Sequence, residues 1–193
     1  MKRFWVILGV VVAGLVLLFV FNKPAEQSKD TFTGDAKTIQ EDDHVIKAPK
    51  EKVVLIEYAD FQCPSCASVF PILEELKVKY KENVSFVFRH LPLIQIHPNA
   101  FAAARAAEAA SNQGKFWEMQ QYLFQEAGKQ GTNTFTQTRL KAMAETLGLD
   151  TGDFNKCLGN QEHAKTVQSN MRDGQQLAAV SYTHLRAHET PEH

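Results

Sequence analysis

The sequence of 193 residues has little cysteine, almost no net charge and few glycines. Three cysteines are too few for the disulfide framework of a small secreted domain, but they suffice for one redox pair and a spare thiol. A formal net charge of -1 provides no long-range field to attract a phosphate backbone, so no nucleic-acid partner is expected. The 44% apolar and 22% charged residues are typical of a chain that folds, and the length fits one domain beside a targeting segment.

Residues 4–21 form a long apolar run without a charge, and they follow Lys2 and Arg3. As a helix this run is about 27 Å long, which approaches the thickness of a bilayer hydrocarbon core. Because the positive charges precede the run, the amino terminus is expected in the cytoplasm and the remaining chain outside. We therefore expect residues 1–22 to be a single-pass anchor in the cytoplasmic membrane. A cleaved signal peptide is the alternative, although no small-x-small cleavage site follows the run.

The polar residues 23–43 predict a flexible tether, and a folded domain is expected over 44–180. Apolar runs predict a short strand at Val45–Ile46 and buried strands at Val53–Tyr58 and Val84–Phe88, the last two separated by a helix over 63–80. This order predicts a parallel strand-helix-strand unit. Five further helices are expected over 99–111, 116–127, 136–147, 151–158 and 162–180. Together they predict an α/β fold with a helical insertion at about 98–160.

The residues Cys63-Pro64-Ser65-Cys66 lie where the first buried strand meets the first helix. Unpaired amides and the positive end of the helix dipole stabilise a thiolate at a helix amino terminus, so Cys63 is the expected nucleophile. Cys66 follows one turn later and can resolve a mixed disulfide formed on Cys63. Pro64 stiffens this turn and has no amide hydrogen to compete for the sulfur.

Two structural roles for the cysteine pair are alternatives. A zinc site would need two more ligands, and Cys157 and His163 offer them only at a spacing unlike that of known zinc motifs. A permanent structural disulfide between residues one turn apart would constrain almost no chain entropy. No metal and no cofactor are therefore expected.

Glu57 lies six residues before Cys63 in the apolar strand. Strand alternation places it towards the core beneath the helix start, where burial would raise its pKa and make it a proton acceptor for Cys66. The alternative is that Glu57 points to solvent at the end of the strand.

The sequence resembles the DsbA-like thiol:disulfide oxidoreductases of the thioredoxin superfamily from Asp43 to about Val180. The motifs that carry the resemblance are the segments 53–66, 88–93, 97–100, 113–117 and 147–150. The resemblance implies a thioredoxin fold interrupted by a helical domain, a redox-active disulfide between Cys63 and Cys66, and a buried acid at Glu57. It also implies thiol-containing substrate proteins and a membrane or extracytoplasmic redox partner.

The sequence departs from this family in two places. Ser65 replaces the histidine that strongly oxidising relatives carry between the cysteines, which removes one stabilising partner of the thiolate. After Val180, residues 181–193 read as an unstructured, foreign-looking tail in place of a cis Thr-Pro peptide, two strands and a closing helix. We therefore expect the last strands to be missing and one edge of the Val53–Tyr58 strand to be open. His184 and His188 in this tail are not expected to bind a metal.

These observations predict an extracytoplasmic enzyme that exchanges disulfides in secreted or membrane proteins. A reductase or isomerase with the same chemistry is the first alternative. A chaperone-like module that binds peptides without using its cysteines is the second.

Overall fold

Two apolar strands form the centre of the domain. The computed structural model describes residues 38–127, 129 and 134–177, and the backbone of residues 184–189. In chain order, its elements are β1 (His44–Ile46), β2 (Val53–Ala59), α1 (Pro64–Lys79), β3 (Val84–His90), α2 (Ala100–Ser111), α3 (Phe116–Glu126), α4 (Gln137–Thr146), α5 (Thr151–Leu158), α6 (Gln161–Gln176) and β4 (His184–Glu189). The predicted α/β architecture with a helical insertion is confirmed.

The sheet has the strand order β1-β3-β2-β4. β2 and β3 are parallel, with Val53 opposite Val84 and Ala59 opposite His90, as the strand-helix-strand pattern predicted. β1 pairs antiparallel with β3 at one edge. Because β2 and β3 run in the same direction, the turn into α1 and the loop after β3 leave the sheet at the same end.

The two faces of β2 contribute to two separate apolar clusters. Val54, Ile56 and Tyr58 pack with Val87 and Leu91 in the smaller cluster. The opposite face contributes Ala59 to the larger cluster, which also contains Phe61, both cysteines of the pair and buried apolar side chains from each of the helices α1 to α5. α6 approaches the sheet closely, because a Cβ atom on Gly174 would lie 2.8 Å from Leu91 Cδ1.

The expected open edge of β2 is occupied. β4 pairs antiparallel with β2, with Val53 opposite Glu189 and Tyr58 opposite His184. The expectation that all of residues 181–193 are unstructured and form no strand is therefore wrong for His184–Glu189. The physical reason is that an edge strand presents unpaired backbone groups, which an extended segment satisfies whatever its side chains. Thr190-Pro191 lies outside the described residues.

The expected tether ends earlier than residue 43, because residues 38–43 contact the folded domain. The Arg89 guanidinium donates from Nε and Nη2 to the two carboxylate oxygens of Asp43, both at 2.7 Å. It also donates to the Tyr58 hydroxyl at 2.7 Å and to the Thr38 carbonyl at 2.6 Å. Asp173 lies 3.5 Å away on α6. A fully buried guanidinium needs such partners, and the segment before β1 supplies two of them.

The expected membrane anchor at residues 4–21 lies outside the described residues. Among the helices that the structure does describe, none combines the length and the apolar composition needed to cross a bilayer.

We predict that Arg89→Met destabilises the domain by about 3–5 kcal/mol, because the buried carboxylates of Asp43 and Asp173 lose their cation. Urea unfolding at pH 7 measures the loss. Arg139→Met is the control, since the partly exposed Arg139 makes one hydrogen bond to the Thr134 carbonyl and one ion pair with Glu126, and its removal should cost about 1 kcal/mol. Equal losses in the two variants would contradict the central role of Arg89.

Candidate active site

Cys63 is the N-cap residue of α1, and Pro64 is its first helical residue. The backbone of Cys63 is extended, and its carbonyl accepts the first helical hydrogen bond from Ala67 at 3.1 Å. The amides of Ser65 and Cys66 belong to the first turn, whose N–H groups have no carbonyl one turn earlier to accept them. Sulfur at the cap position therefore lies where a helix presents its hydrogen-bond donors and its positive end.

Cys66 lies in the first turn of the same helix. Cys63 and Cys66 are 4% and 2% exposed, and both belong to the larger apolar cluster. The structure thus brings together the two cysteines that the sequence singled out. Pro64 is exposed and Ser65 is half-buried between them.

The turn that carries Cys63 is held by Asp60, which the sequence analysis did not single out. The Asp60 backbone carbonyl accepts from the amide of Cys63 at 3.1 Å, and its Oδ1 accepts from the amide of Gln62 at 2.7 Å. Its Oδ2 accepts from the amide of Leu93 at 2.8 Å and from His97 Nδ1 at 2.7 Å. Since a carboxylate only accepts, the proton of this contact is on His97 Nδ1.

Asp60 therefore fastens the turn before Cys63 to the loop after β3. A second bond reinforces the connection, because the Gln62 side-chain oxygen accepts from the amide of Asn99 at 2.8 Å. The signal in the sequence was the presence of an acid three residues before Cys63 and a histidine directly before Pro98. Neither residue type reveals its partner 37 residues away.

Glu57 is buried beneath α1, with 3% exposure, so the alternative that it points to solvent is wrong. It lines a narrow pocket with Leu73, Lys77, Phe88 and Trp117. Its Oε1 atom has no hydrogen-bond partner within the described part of the chain. Burial raises the pKa of Glu57 to about 7, the Lys77 ammonium opposes this rise, and Glu74 adds to it.

Lys77 does not neutralise Glu57 directly. Its ammonium lies 2.6 Å from Glu74 Oε1 and 4.8 Å from the centre of the Trp117 ring. Glu57 is thus a buried acid that gains or loses its proton near neutral pH, as the sequence predicted from its position in β2.

The other residues considered from the sequence lie elsewhere. Cys157 is on α5, where the Asn112 side-chain amide donates to its sulfur at 3.2 Å. The side chains of His184 and His188 are outside the described part of the structure. A group with potential metal-ligand atoms is formed by His44, His90 and Glu108, from β1, β3 and α2.

We predict that Glu57→Gln stabilises the domain at pH 8 by up to about 3 kcal/mol relative to the unsubstituted chain. The folded-state pKa of Glu57, about 7, is above its ordinary value of 4.5, so its ionisation costs stability as pH rises through this interval. The two proteins should differ little at pH 4, where Glu57 is protonated in both states. Urea unfolding at the two pH values measures the difference. The exposed Glu75→Gln variant is the control, and an equal gain in that variant would contradict the role of burial.

We predict that His97→Ala slows alkylation of Cys63 by about fivefold, the effect of roughly 1 kcal/mol from one lost hydrogen bond. The reason is that the turn before Cys63 loses a fastening point and its amides are held less firmly. The rate with iodoacetamide is measured across pH in a Cys66→Ser/Cys157→Ser background. His97→Asn keeps a donor near the position of Nδ1 and should restore the rate, and His163→Ala is the control. A rate and a pH profile unchanged in His97→Ala would contradict the prediction.

Solved structures with the same fold align with most of this chain. A thioredoxin-like oxidoreductase from Silicibacter pomeroyi is 25% identical with a TM-score of 0.69, and the match covers 81% of this chain and 86% of that chain. DsbA2 from Pseudomonas aeruginosa is 22% identical with a TM-score of 0.65, covering 79% and 83%. A periplasmic thioredoxin-like protein from Salmonella enterica serovar Typhimurium is 18% identical with a TM-score of 0.62, covering 84% and 86%. The last two likenesses show the shared fold.

Curated relatives match the domain as part of much longer proteins. The Na(+)/H(+) antiporter NhaA 1 of Salinispora arenicola is 39% identical over 142 residues, which are 73% of this chain and 21% of the antiporter. The chain thus spans about a fifth of the length of this relative.

A family model described as thioredoxin matches residues 39–183, which include every strand and helix from β1 to α6. The chain therefore belongs to the thioredoxin family, and its fold is that of DsbA2 from Pseudomonas aeruginosa.

Proposed function

We propose that this chain catalyses thiol-disulfide exchange in extracytoplasmic proteins through Cys63 and Cys66. The observation that carries the proposal is the position of Cys63 at the N-cap of α1, with Cys66 one turn further along the helix. A sulfur at this position holds negative charge against the helix dipole and first-turn amides, which makes it both a nucleophile and a good leaving group.

The proposed cycle transfers two electrons from a substrate dithiol to the cysteine pair. A substrate thiolate attacks Cys63 Sγ of the Cys63–Cys66 disulfide, a new sulfur–sulfur bond forms, and Cys66 leaves as a thiolate that takes up a proton. A second substrate thiolate then attacks the substrate sulfur of this mixed disulfide. Cys63 leaves as a thiolate, and the substrate leaves with its own disulfide. The disulfide of a redox partner reoxidises the pair by the same steps.

Glu57 is proposed to carry the proton of Cys66. Cys66 alternates between thiol and sulfur bonded in a disulfide, so a proton must enter or leave a site that is almost closed to water. The raised pKa of Glu57, about 7, lets this carboxyl group accept or release a proton near neutral pH. Its position beneath α1, with one oxygen lacking a hydrogen-bond partner among the described residues, supports this role.

The direction of net electron flow depends on the redox poise of the pair. Ser65 offers no imidazole to the Cys63 thiolate, and thiolate stabilisation is what makes a pair of this kind oxidising. The same chemistry in reverse is that of a reductase or an isomerase. An equilibrium titration of the pair against reduced and oxidised glutathione distinguishes these directions.

The proposal concerns the thioredoxin domain and does not extend to sodium–proton antiport. The antiporter relatives match this chain over about a fifth of their length, and the matched part is the thioredoxin domain. The antiport activity that their names state is therefore attributed to those relatives and not to this chain.

An extracytoplasmic location is part of the proposal. It is supported by the apolar run at residues 4–21 behind Lys2 and Arg3, which is proposed to anchor the chain in the cytoplasmic membrane. A periplasmic thioredoxin-like protein with the same fold is consistent with this location.

We predict that the full chain with Cys66→Ser accumulates mixed disulfides with extracytoplasmic proteins, because the sulfur that releases them is missing. Acid quenching of expressing cells, followed by non-reducing electrophoresis and detection of the chain, measures these adducts. The matched control is Cys63→Ser, which keeps one cysteine of the pair and should trap no substrate. A Cys157→Ser variant should form the same amount of mixed-disulfide adducts as the unsubstituted chain.

The same cells test the proposed location and the non-catalytic alternative. A membrane-impermeant maleimide should label Cys63 in intact cells, and the chain should remain in the membrane after carbonate extraction. The absence of adducts in Cys66→Ser, with peptide binding unaffected by Cys63→Ser, would identify a peptide-binding module and overturn the proposed enzyme.

A further inference from the structure

A second cluster of reactive side chains lies between β1, the end of β3 and α2. His44 Nε2 lies 2.7 Å from Glu108 Oε1, and His90 Nε2 lies 2.8 Å from the same oxygen atom. The potential ligand atoms of these residues all lie within 4.8 Å of one another. Three residues that are far apart in the sequence thus direct two imidazole nitrogens and one carboxylate oxygen to a common point.

We propose that His44, His90 and Glu108 form a binding site for a divalent transition metal ion, with Zn²⁺ as the best-fitting ion. Two imidazole nitrogens and one carboxylate oxygen are a ligand set that zinc uses where one position is left for water or another ligand. Calcium and magnesium prefer oxygen ligands, so two histidines disfavour them.

The ligand atoms must change their separations to accept the ion. Ligand atoms about 2.1 Å from a tetrahedral zinc ion lie about 3.4 Å from one another. The two nitrogen–oxygen contacts of 2.7 and 2.8 Å must therefore open by about 0.6–0.7 Å, and a pair of ligand atoms as far apart as 4.8 Å must close by about 1.4 Å.

Burial and the contacts within the cluster shift the pKa values of Glu108 and His90. Burial by itself would raise the pKa of Glu108, but hydrogen bonds from His44 and His90 hold it well below its usual range. Burial lowers the pKa of His90, despite the opposing effect of Glu108.

Metal binding through Nε2 requires the tautomer of His90 that carries its proton on Nδ1. His90 Nδ1 is buried and has no hydrogen-bond partner within the described residues. When an ion takes the Nε2 lone pair, the proton of His90 moves to Nδ1, where no described group accepts it, so the affinity for the ion must also offset one unpaired buried donor. By contrast, the nearby Arg89 already has its carboxylate and carbonyl partners and offers no ligand atom.

The ion would enter from the side of His44. The His44 side chain is 14% exposed, whereas that of His90 is fully buried. The His44 ring stacks on Phe116 with ring centres 3.4 Å apart, which fixes the plane of the imidazole. A bound ion would join the edge strand β1 to α2, and Phe61, two residues before Cys63, lies against the His90 ring.

The test uses the purified full chain in detergent with Cys63→Ser/Cys66→Ser, because reduced cysteines also bind zinc. We expect this protein to bind one equivalent of Zn²⁺ in isothermal titration calorimetry, and its thermal midpoint to rise when Zn²⁺ is added. Co²⁺ should give a spectrum without a thiolate charge-transfer band. His44→Gln should weaken Zn²⁺ binding by about 100-fold or more, since even an outer hydrogen-bonding partner of a ligand contributes about 10- to 100-fold.

Further variants decide between this site and others. Glu108→Gln keeps an oxygen that accepts from both histidines but removes the charge, and it should also lose binding. His163→Gln is the matched control with a histidine outside the cluster, and it should bind as the parent does. The proposal is overturned if no zinc binds, if His44→Gln binds as tightly as the parent, or if binding is lost only in His184→Gln/His188→Gln. Because the test protein lacks the redox cysteines, its outcome is independent of the proposed exchange activity.

Discussion

The parallel pairing of β2 with β3 is the constraint on which the rest of the structure depends. It aligns Ala59 with His90, and the amide of Leu91 donates to the Ala59 carbonyl at 2.8 Å just beyond the last pair. The chain therefore leaves both strands at one end of the sheet. The turn with Cys63 and the loop with His97 become neighbours there, and Asp60 connects them with hydrogen bonds to both.

Three buried charged groups meet the cost of desolvation in different ways. Arg89 is surrounded by two carboxylates, a hydroxyl and a carbonyl, and Glu108 by two imidazoles. Glu57 has only the more distant Lys77, which is itself hydrogen-bonded to Glu74. Groups with close partners keep their charge, whereas a group without them changes protonation near neutral pH. This contrast separates structural charges from the acid proposed to move a proton.

The sequence predicted what depends on local pattern. The apolar runs located β2 and β3, and the spacing of apolar residues and glycines located the helices close to their observed bounds. Cys63 and Cys66 were found because a strand, a CxxC pair and a helix follow one another directly. Glu57 was placed correctly for the same reason, since strand alternation is a local property.

What the sequence did not reveal are pairings between distant residues. Asp43 with Arg89 and Asp60 with His97 are separated by 46 and 37 residues, and no local pattern encodes their contact. The polar composition of residues 38–43 therefore predicted a tether, although Asp43 is a required partner of a buried cation. β4 was missed because its recognition of β2 uses the backbone, whereas composition and motifs describe side chains.

Pairing of β4 with β2 has a consequence for how such domains diversify. An edge that is completed through main-chain amides and carbonyls accepts many amino-acid sequences, provided that the segment is extended and reaches the right register. Selection can thus replace the border of the sheet while the cysteine turn and its supporting network stay unaltered. The redox centre and the sheet border are, in this sense, separately evolvable modules of one fold.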